Sequence, residues 1–357
     1  MLFKRIIRGG IELSQHKEPA LSRNIIMLDG IEFKDFDLSE YRDIDSETVY
    51  KIIELSKIRD EHTGEFVIDI INRALLKQTD RLLLNAVDDD PYTSSSYTAM
   101  KNLPKYAVLG LNLVGKILKP KTRRCVINPF LDDEGINSKI PEKIFGLKVK
   151  KVNLSYPISP RLDRYYDGEV VSIGACALVN LAKAVVDGEM AKICFVTVAG
   201  DAAGYSCNVA CKVGTPISEI LNETSPEKYQ KLILGSVMSG RAIETTDVGV
   251  EETTKSIILF KKYSVRTDLN CIGCSRCVSV CPQRLSPYYI YKASKRGYND
   301  KALMALSKLC TDCGCCSYVC PGKCNPAHYI RLYKRRALLN GKEGGETVET
   351  DTNRVQG

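Results

Sequence analysis

Two matching groups of cysteines near the C-terminus constrain this 357-residue chain more than any other feature. The first reads Cys271-Ile-Gly-Cys274-Ser-Arg-Cys277-Val-Ser-Val-Cys281-Pro282. The second reads Cys310-Thr-Asp-Cys313-Gly-Cys315-Cys316-Ser-Tyr-Val-Cys320-Pro321. In each, three cysteines recur at two-residue gaps and a fourth follows after three more residues. One tight loop with this spacing aims three thiolates at three corners of a cubane and leaves the fourth corner to a ligand from elsewhere. Secreted disulfide scaffolds are normally much shorter chains. Structural zinc prefers close pairs of cysteines separated by longer gaps. The spacing selects iron–sulfur chemistry over both.

With proline after the fourth cysteine, both groups match the bacterial ferredoxin pattern, in which each motif of a two-cluster protein lends its last cysteine to the other cluster. Two [4Fe–4S] clusters are expected. Cys271, Cys274, Cys277 and Cys320 hold one, and Cys310, Cys313, Cys316 and Cys281 hold the other. Cys315 and Cys324 are surplus to the pattern and read as bystander thiols. Cys125, Cys176, Cys194, Cys207 and Cys211 read as buried small hydrophobes, with Cys207 and Cys211 in an irregular segment. The motifs are flanked by Arg276, Arg284, Lys292, Lys295, Arg296, Lys308, Lys323, Arg331, Lys334, Arg335 and Arg336. Most of these make a solvated basic face. Such a face also suits docking of an acidic electron carrier of ferredoxin or flavodoxin type, since opposite fields accelerate encounter. No residue stands out as catalytic.

Elsewhere the composition is that of a globular chain, 44% hydrophobic and 26% charged, with a net charge of +8. That excess lacks the dense basic patterning of a nucleic-acid binder. The most apolar run, Val170 to Val186, is broken by Asn180 and Lys183 and falls short of the roughly 20 residues a bilayer requires. A cytoplasmic location is expected, compatible with peripheral docking to a membrane complex.

Helical periodicity spans Asp45 to Ile58, with Asp45 or Ser46 able to cap its start, and about Glu65 to Lys77. A short apolar run, Leu82 to Leu84, reads as a buried strand delivering the acidic loop Asn85-Ala-Val-Asp88-Asp89-Asp90-Pro91-Tyr92. Tyr106 to Leu118, Cys125 to Ile127 and Gly174 to Val186 continue the alternation of helix and strand, which predicts an α/β layer with a mainly parallel sheet. Beyond Gly188 a compact mixed region has strands at Ile193 to Ala199, Leu232 to Leu234 and Ile257 to Phe260. Helices are expected at Tyr288 to Lys295, Lys301 to Leu309 and Ala327 to Leu339, before a polar, disordered tail.

Taken in order, these pieces resemble the C subunit of the Rnf ion-translocating ferredoxin:NAD oxidoreductase, and more distantly the flavoprotein subunit of respiratory complex I. Gly9-Gly10-Ile11 with Lys17 resembles the family's opening, and residues 85–92 resemble its Asn-Ala-Ala-Glu-Cys-Glu-Pro-Tyr loop. Ala184 to Gly188, Val196 to Gly200 and Val213 to Ile217 are similar to its entry into a β-grasp domain. Leu234 to Ala242 resembles its Gly-Gly-Pro-Met-Met-Gly-Arg-Ala segment. The resemblance implies an α/β class with five parts. They are an N-terminal barrel remnant (1–45), a Rossmann-like domain of the FMN and NADH type (46–188), a β-grasp domain (189–262), a helical two-cluster ferredoxin-like domain (263–339) and the tail (340–357).

It also implies nucleotide contacts at Asn85, Asp88 and Asp90. Where the family has a glycine-rich phosphate loop, however, this chain reads Arg59-Asp60-Glu61-His62-Thr63-Gly64-Glu65-Phe66. One glycine and three acids oppose a phosphate. The implied function is electron relay between a soluble carrier and a partner redox enzyme. The alternatives are FMN-dependent NADH oxidation and, as in the similar cobalamin reductase of bacterial microcompartments, electron delivery to a corrinoid.

Overall fold

The computed structural model describes residues 25–128, 141–188, 190, 192–263 and 270–343, together with the backbone of 3–7 and 10–13. Gly9, Lys17 and the tail from residue 344 lie outside the described residues. The chain forms two compact units, a larger one spanning 13–264 with residues 1–4, and a smaller one spanning 265–357 with residues 5–12. Strands Phe3–Ile7 and Gly10–Leu13 form a two-stranded sheet.

The larger unit is mixed α/β. Its first sheet has five strands in the order Lys143–Ile144, Leu147–Lys151, Thr122–Ile127, Arg81–Ala86, Val170–Gly174. All pairings are parallel except that of the edge strand Lys143–Ile144. In the inner strand Arg81–Ala86, Leu84 faces Cys125 on one neighbour and Ile173 on the other. Leu82, Leu84 and Ala86 enter the main core, while Leu83 joins Val126, Ile158 and Leu162 in a second core. Burial of both faces is why the strand is an unbroken apolar run and not an alternating one.

The helices follow the caps visible in the sequence. Asp45 Oδ1 accepts from the N–H groups of Glu47 and Thr48, both at 2.9 Å, and opens the helix Ser46–Ser56. The helices Pro104–Leu118 and Ala175–Asp187 contribute Leu111, Leu113, Leu178 and Leu181 to the main core.

A six-stranded sheet follows, in the order Arg241–Ile243, Lys231–Leu234, Ser256–Phe260, Ile193–Ala199, Cys207–Lys212, Ile25–Met27. The helix Ile217–Thr224 buries Ile217, Ile220 and Leu221 in the core of this sheet. The irregularity expected around Cys207 and Cys211 is corrected here. Cys207–Lys212 is a regular strand pairing with Ile193–Ala199. Gly204 and Gly214, with φ of 70° and 97°, punctuate its ends and not its interior. Four residues apart on a strand, the two Cα atoms stand about 13 Å from each other, well beyond disulfide reach.

Candidate metal centre

The smaller unit is built from one pattern used twice. A cysteine-rich loop leads into a one-turn helix, Arg276–Ser279 in the first copy and Cys315–Tyr318 in the second. A Cys-Pro step follows, and then a proline-initiated helix, Pro287–Arg296 or Pro326–Glu343. The backbone repeats as well. Gly273, Ser275 and Arg284 have φ of 70°, 58° and 54°, and their counterparts Asp312, Gly314 and Lys323 have 55°, 74° and 49°. Left-handed conformation at a non-glycine residue costs about 1 kcal/mol, so these turns are held by their surroundings.

A core of Leu285, Ile290, Met304, Ile330 and Tyr333 provides that hold. The Tyr333 hydroxyl accepts from the Asp300 N–H at 2.9 Å. Lys334 Nζ donates to the Cys310 carbonyl at 2.7 Å and to Asp312 Oδ2 at 3.1 Å, bracing the second loop.

The eight thiols gather in two groups, and the motifs cross. Cys271, Cys274, Cys277 and Cys320 line one cavity, walled also by Tyr288, Tyr291 and Cys324. Burial pushes the Cys277 thiol up to about 11, and the nearby Cys320 and Cys274 act in the same direction. In the other group, burial pushes the Cys316 thiol well up, reinforced by Cys313, Cys310 and Cys281. Cys310 is pushed up to about 12, first by burial and then by Asp312. Cys316 also feels Cys277, so the two groups are neighbours. Each group collects sulfurs whose joint ionisation requires concentrated positive charge, which iron supplies.

Backbone N–H groups already point at the sulfurs. Leu285 N donates to Cys281 Sγ at 3.3 Å and Asp312 N to Cys310 Sγ at 3.4 Å. Such donors favour the thiolate form. Among the described residues no three His, Cys, Asp or Glu side chains converge tightly enough for a single ion. The thiols of the first group line a cavity, and a donor set of four thiols in each group fits cubane clusters.

Cys315 and Cys324 are both buried. Cys324 lines the first cavity, a place that sequence reasoning did not foresee. The signal was present in the repeat, where Cys324 stands opposite Leu285. Of the basic residues, Lys334 and Arg331 are paired with Asp312, and Lys292 sits over the Tyr288 ring at 4.6 Å. Arg276, Arg284, Lys295, Arg296, Lys308, Lys323, Arg335 and Arg336 are exposed.

The acidic loop of the larger unit is turned inward. Asn85 Oδ1 accepts from Val87 N at 3.1 Å. Asp88 is buried and accepts from the N–H groups of Ser96 (3.1 Å) and Tyr97 (2.8 Å), capping the helix Ser95–Asn102. Its burial raises its pKa against those bonds. Asp90 pairs with Lys255 at 3.2 Å and accepts from the Tyr156 hydroxyl at 3.2 Å. Burial is the largest influence on Asp90 and opposes its charge, but Lys255 and the hydrogen bonds from Ser236 and Tyr156 together outweigh it and lower its pKa. Ser94 N donates to Thr197 Oγ1 at 3.0 Å and Thr93 Oγ1 to Ser256 Oγ at 3.1 Å, so the loop ties the two sheets together.

The stretch Arg59 to Phe66 is likewise engaged. Asp60 Oδ2 accepts from Gly174 N at 2.7 Å. The Glu61 carboxylate accepts from Cys176 N at 2.8 Å and Ala177 N at 3.1 Å, at the N-terminus of the helix Ala175–Asp187. A Cβ on Gly174 would lie 2.1 Å from that carboxylate, so only glycine leaves it room. The sequence showed the acidity of this loop but not where its carboxylates point.

A family model described as a 4Fe-4S dicluster domain matches residues 264–321. The chain carries a 4Fe–4S dicluster domain. That domain makes the smaller unit an iron–sulfur electron-transfer module. The similarity read from the sequence extends well beyond it. The C subunit of the ion-translocating oxidoreductase complex of Salmonella typhimurium is 27% identical over 252 residues, covering 62% of this chain and 33% of that protein. Its counterpart in Salmonella gallinarum is 27% identical over 250 residues, covering 62% and 36%. The chain thus spans about a third of the length of the curated relatives it matches.

In fold it is similar to a chain of the NAD+-reducing [NiFe]-hydrogenase, solved in the air-oxidised and H2-reduced states. Each comparison has a TM-score of 0.51 and 12% identity over 85% of this chain and 66% of that one. Among the described residues no helix is long and apolar enough to cross a membrane.

Proposed function

We propose that this protein relays electrons through two [4Fe–4S] clusters between a soluble carrier of ferredoxin or flavodoxin type and a partner redox enzyme in the cytoplasm. The observation that carries this reading is the crossed gathering of thiols. Cys271, Cys274, Cys277 and Cys320 would hold one cluster, and Cys310, Cys313, Cys316 and Cys281 the other. When bound, the clusters supply one-electron storage and transfer. The chain's part is to fix the corner sulfurs on braced loops, aim N–H groups at them and place the two groups side by side. The exposed arginines and lysines of this unit supply a positive surface for an acidic carrier.

The larger unit serves in this reading as a docking scaffold, derived from a Rossmann-like nucleotide domain (46–188) and a β-grasp domain (189–262). Supporting this, the loop that should cradle phosphate instead places Glu61 at the helix N-terminus, where an anion would bind. Asn85, Asp88 and Asp90 are committed to internal bonds.

Cofactor extraction joined to an NADH-to-dye assay tests both parts. Anaerobically purified protein should contain about eight irons, reducible by dithionite, without stoichiometric flavin or NADH turnover. Stoichiometric flavin with turnover would overturn the scaffold reading, and a content near four irons would overturn the two-cluster reading.

A further inference from the structure

The two halves of the cluster unit share a backbone but part company at two side chains beside the thiols. Aligning Cys271 with Cys310 sets Arg276 against Cys315 and Leu285 against Cys324. Because the motifs cross, both differences bear on the cavity of Cys271, Cys274, Cys277 and Cys320. Arg276, exposed, lies between Cys274 and Cys277, whereas its counterpart Cys315 is buried. Cys324 lines this cavity, whereas its counterpart Leu285 packs into the apolar core beside Cys281 and Cys316.

Gly322 makes the approach possible. A Cβ there would meet the Asn270 carbonyl at 2.8 Å and Cys324 Sγ at 3.1 Å. The first copy has Gln283 at this position.

Cys324 Sγ donates to the Gly322 carbonyl at 3.4 Å. A thiol hydrogen rotates freely, and a charged acceptor binds it more strongly than a neutral carbonyl. Once Cys320 is a ligand thiolate, it is the better acceptor. Solvent access differs in the same sense. Cys274 is exposed in the first group, while Cys281 and Cys316 are buried in the second. Positive charge, sulfur hydrogen bonds and solvent exposure all favour the reduced, more negative cluster. The second group has donors of its own, Leu285 N to Cys281 Sγ and Asp312 N to Cys310 Sγ, and Lys334 and Arg331 offset the Asp312 carboxylate beside Cys310. The inequality therefore rests on exposure, Arg276 and Cys324.

We propose that the two clusters are unequal by construction, with the one on Cys271, Cys274, Cys277 and Cys320 at the higher potential, and that Cys324 and Arg276 are the positioning residues that raise it. This rests on the two-cluster reading above. With both clusters bound, this inequality would favour the electron on the exposed group.

EPR-monitored redox titration of the full chain tests this. Wild-type protein should hold about eight irons and show two separate one-electron waves, and C277S should alter the spectrum of the higher one. C324L, which restores the side chain of the first copy, and R276Q should each retain eight irons. Each should move only the higher wave to more negative potential by about 30 mV, a roughly threefold change in the one-electron equilibrium. If C324L does not fold, C324S provides the comparison, with wild-type iron and a higher wave that stays put or moves by less than in R276Q. Unresolved waves in the wild type, a shift confined to the lower wave, or a higher wave unmoved in R276Q or in C324L would each overturn the proposal. Loss of four irons in C324L and C324S would make Cys324 a ligand and overturn it too. Fewer than eight irons in the wild type would instead sink the two-cluster reading.

Discussion

Glu61 accepts a hydrogen bond from the backbone N–H of Cys176 at 2.8 Å, so the chain's own carboxylate sits at the N-terminus of a core helix. Removing it in E61A leaves buried N–H groups without an acceptor, at a cost of about 2 kcal/mol. Chemical denaturation of wild type and E61A side by side reads this directly.

The same carboxylate makes stability depend on pH. Burial raises the Glu61 pKa, and burial also raises that of Asp88. A carboxyl with a raised folded pKa binds its proton more tightly in the folded state. Its contribution is complete below the unfolded pKa and declines as pH rises through the folded one. Stability should therefore fall as pH climbs out of the ordinary carboxylate range, and E61Q, which cannot ionise, should flatten that decline. Denaturation midpoints across pH 4 to 8, measured on both proteins, check the slope; equal slopes would contradict it.

Lys255 and Asp90 form an ion pair that links the two sheets of the larger unit, with side chains only 16% and 12% exposed. Breaking one partner of such a pair strands a buried charge. K255M should destabilise the protein by about 3 kcal/mol, and K255M/D90N should recover a large part of the loss. Urea titration of the single and double variants tests the coupling.

Cys281 belongs to the first motif in sequence but stands with Cys310, Cys313 and Cys316 in space. C281S should lower the iron content from about eight toward about four and abolish the EPR signal of the second group alone. Loss of the first group's signal instead would contradict the crossed arrangement.

Electron exchange with an acidic carrier should slow steeply as salt is raised, because the Debye length contracts from about 10 Å at 0.1 M to about 3 Å at 1 M. R284E/K323E should slow it further at low salt and leave the high-salt rate unchanged. Stopped-flow reduction by a ferredoxin follows both effects.

The cysteine spacing made the cluster unit legible because the chemistry of a cubane corner is local: three thiols on one loop are adjacent in the chain. Leu82 to Leu84 and the cap at Asp45 were legible for the same reason. The role of Lys255 was not, because nothing near it in the chain announces that Asp90 is its partner. The strand Cys207–Lys212 was obscured by the glycines at its ends, which read alike whether they interrupt a loop or bound a strand. The helix Ser95–Asn102 hides in a serine run, since its cap comes from Asp88 and not from the residue before it.

The carboxylate at the helix Ala175–Asp187 has one more consequence, for how the protein is made. A tethered acid is at hand the moment the chain folds, at an effective concentration that free phosphate in solution does not match. The larger unit can therefore reach its final form without waiting for a small molecule. If the larger unit is the scaffold proposed above, maturation depends on the supply of iron and sulfide alone.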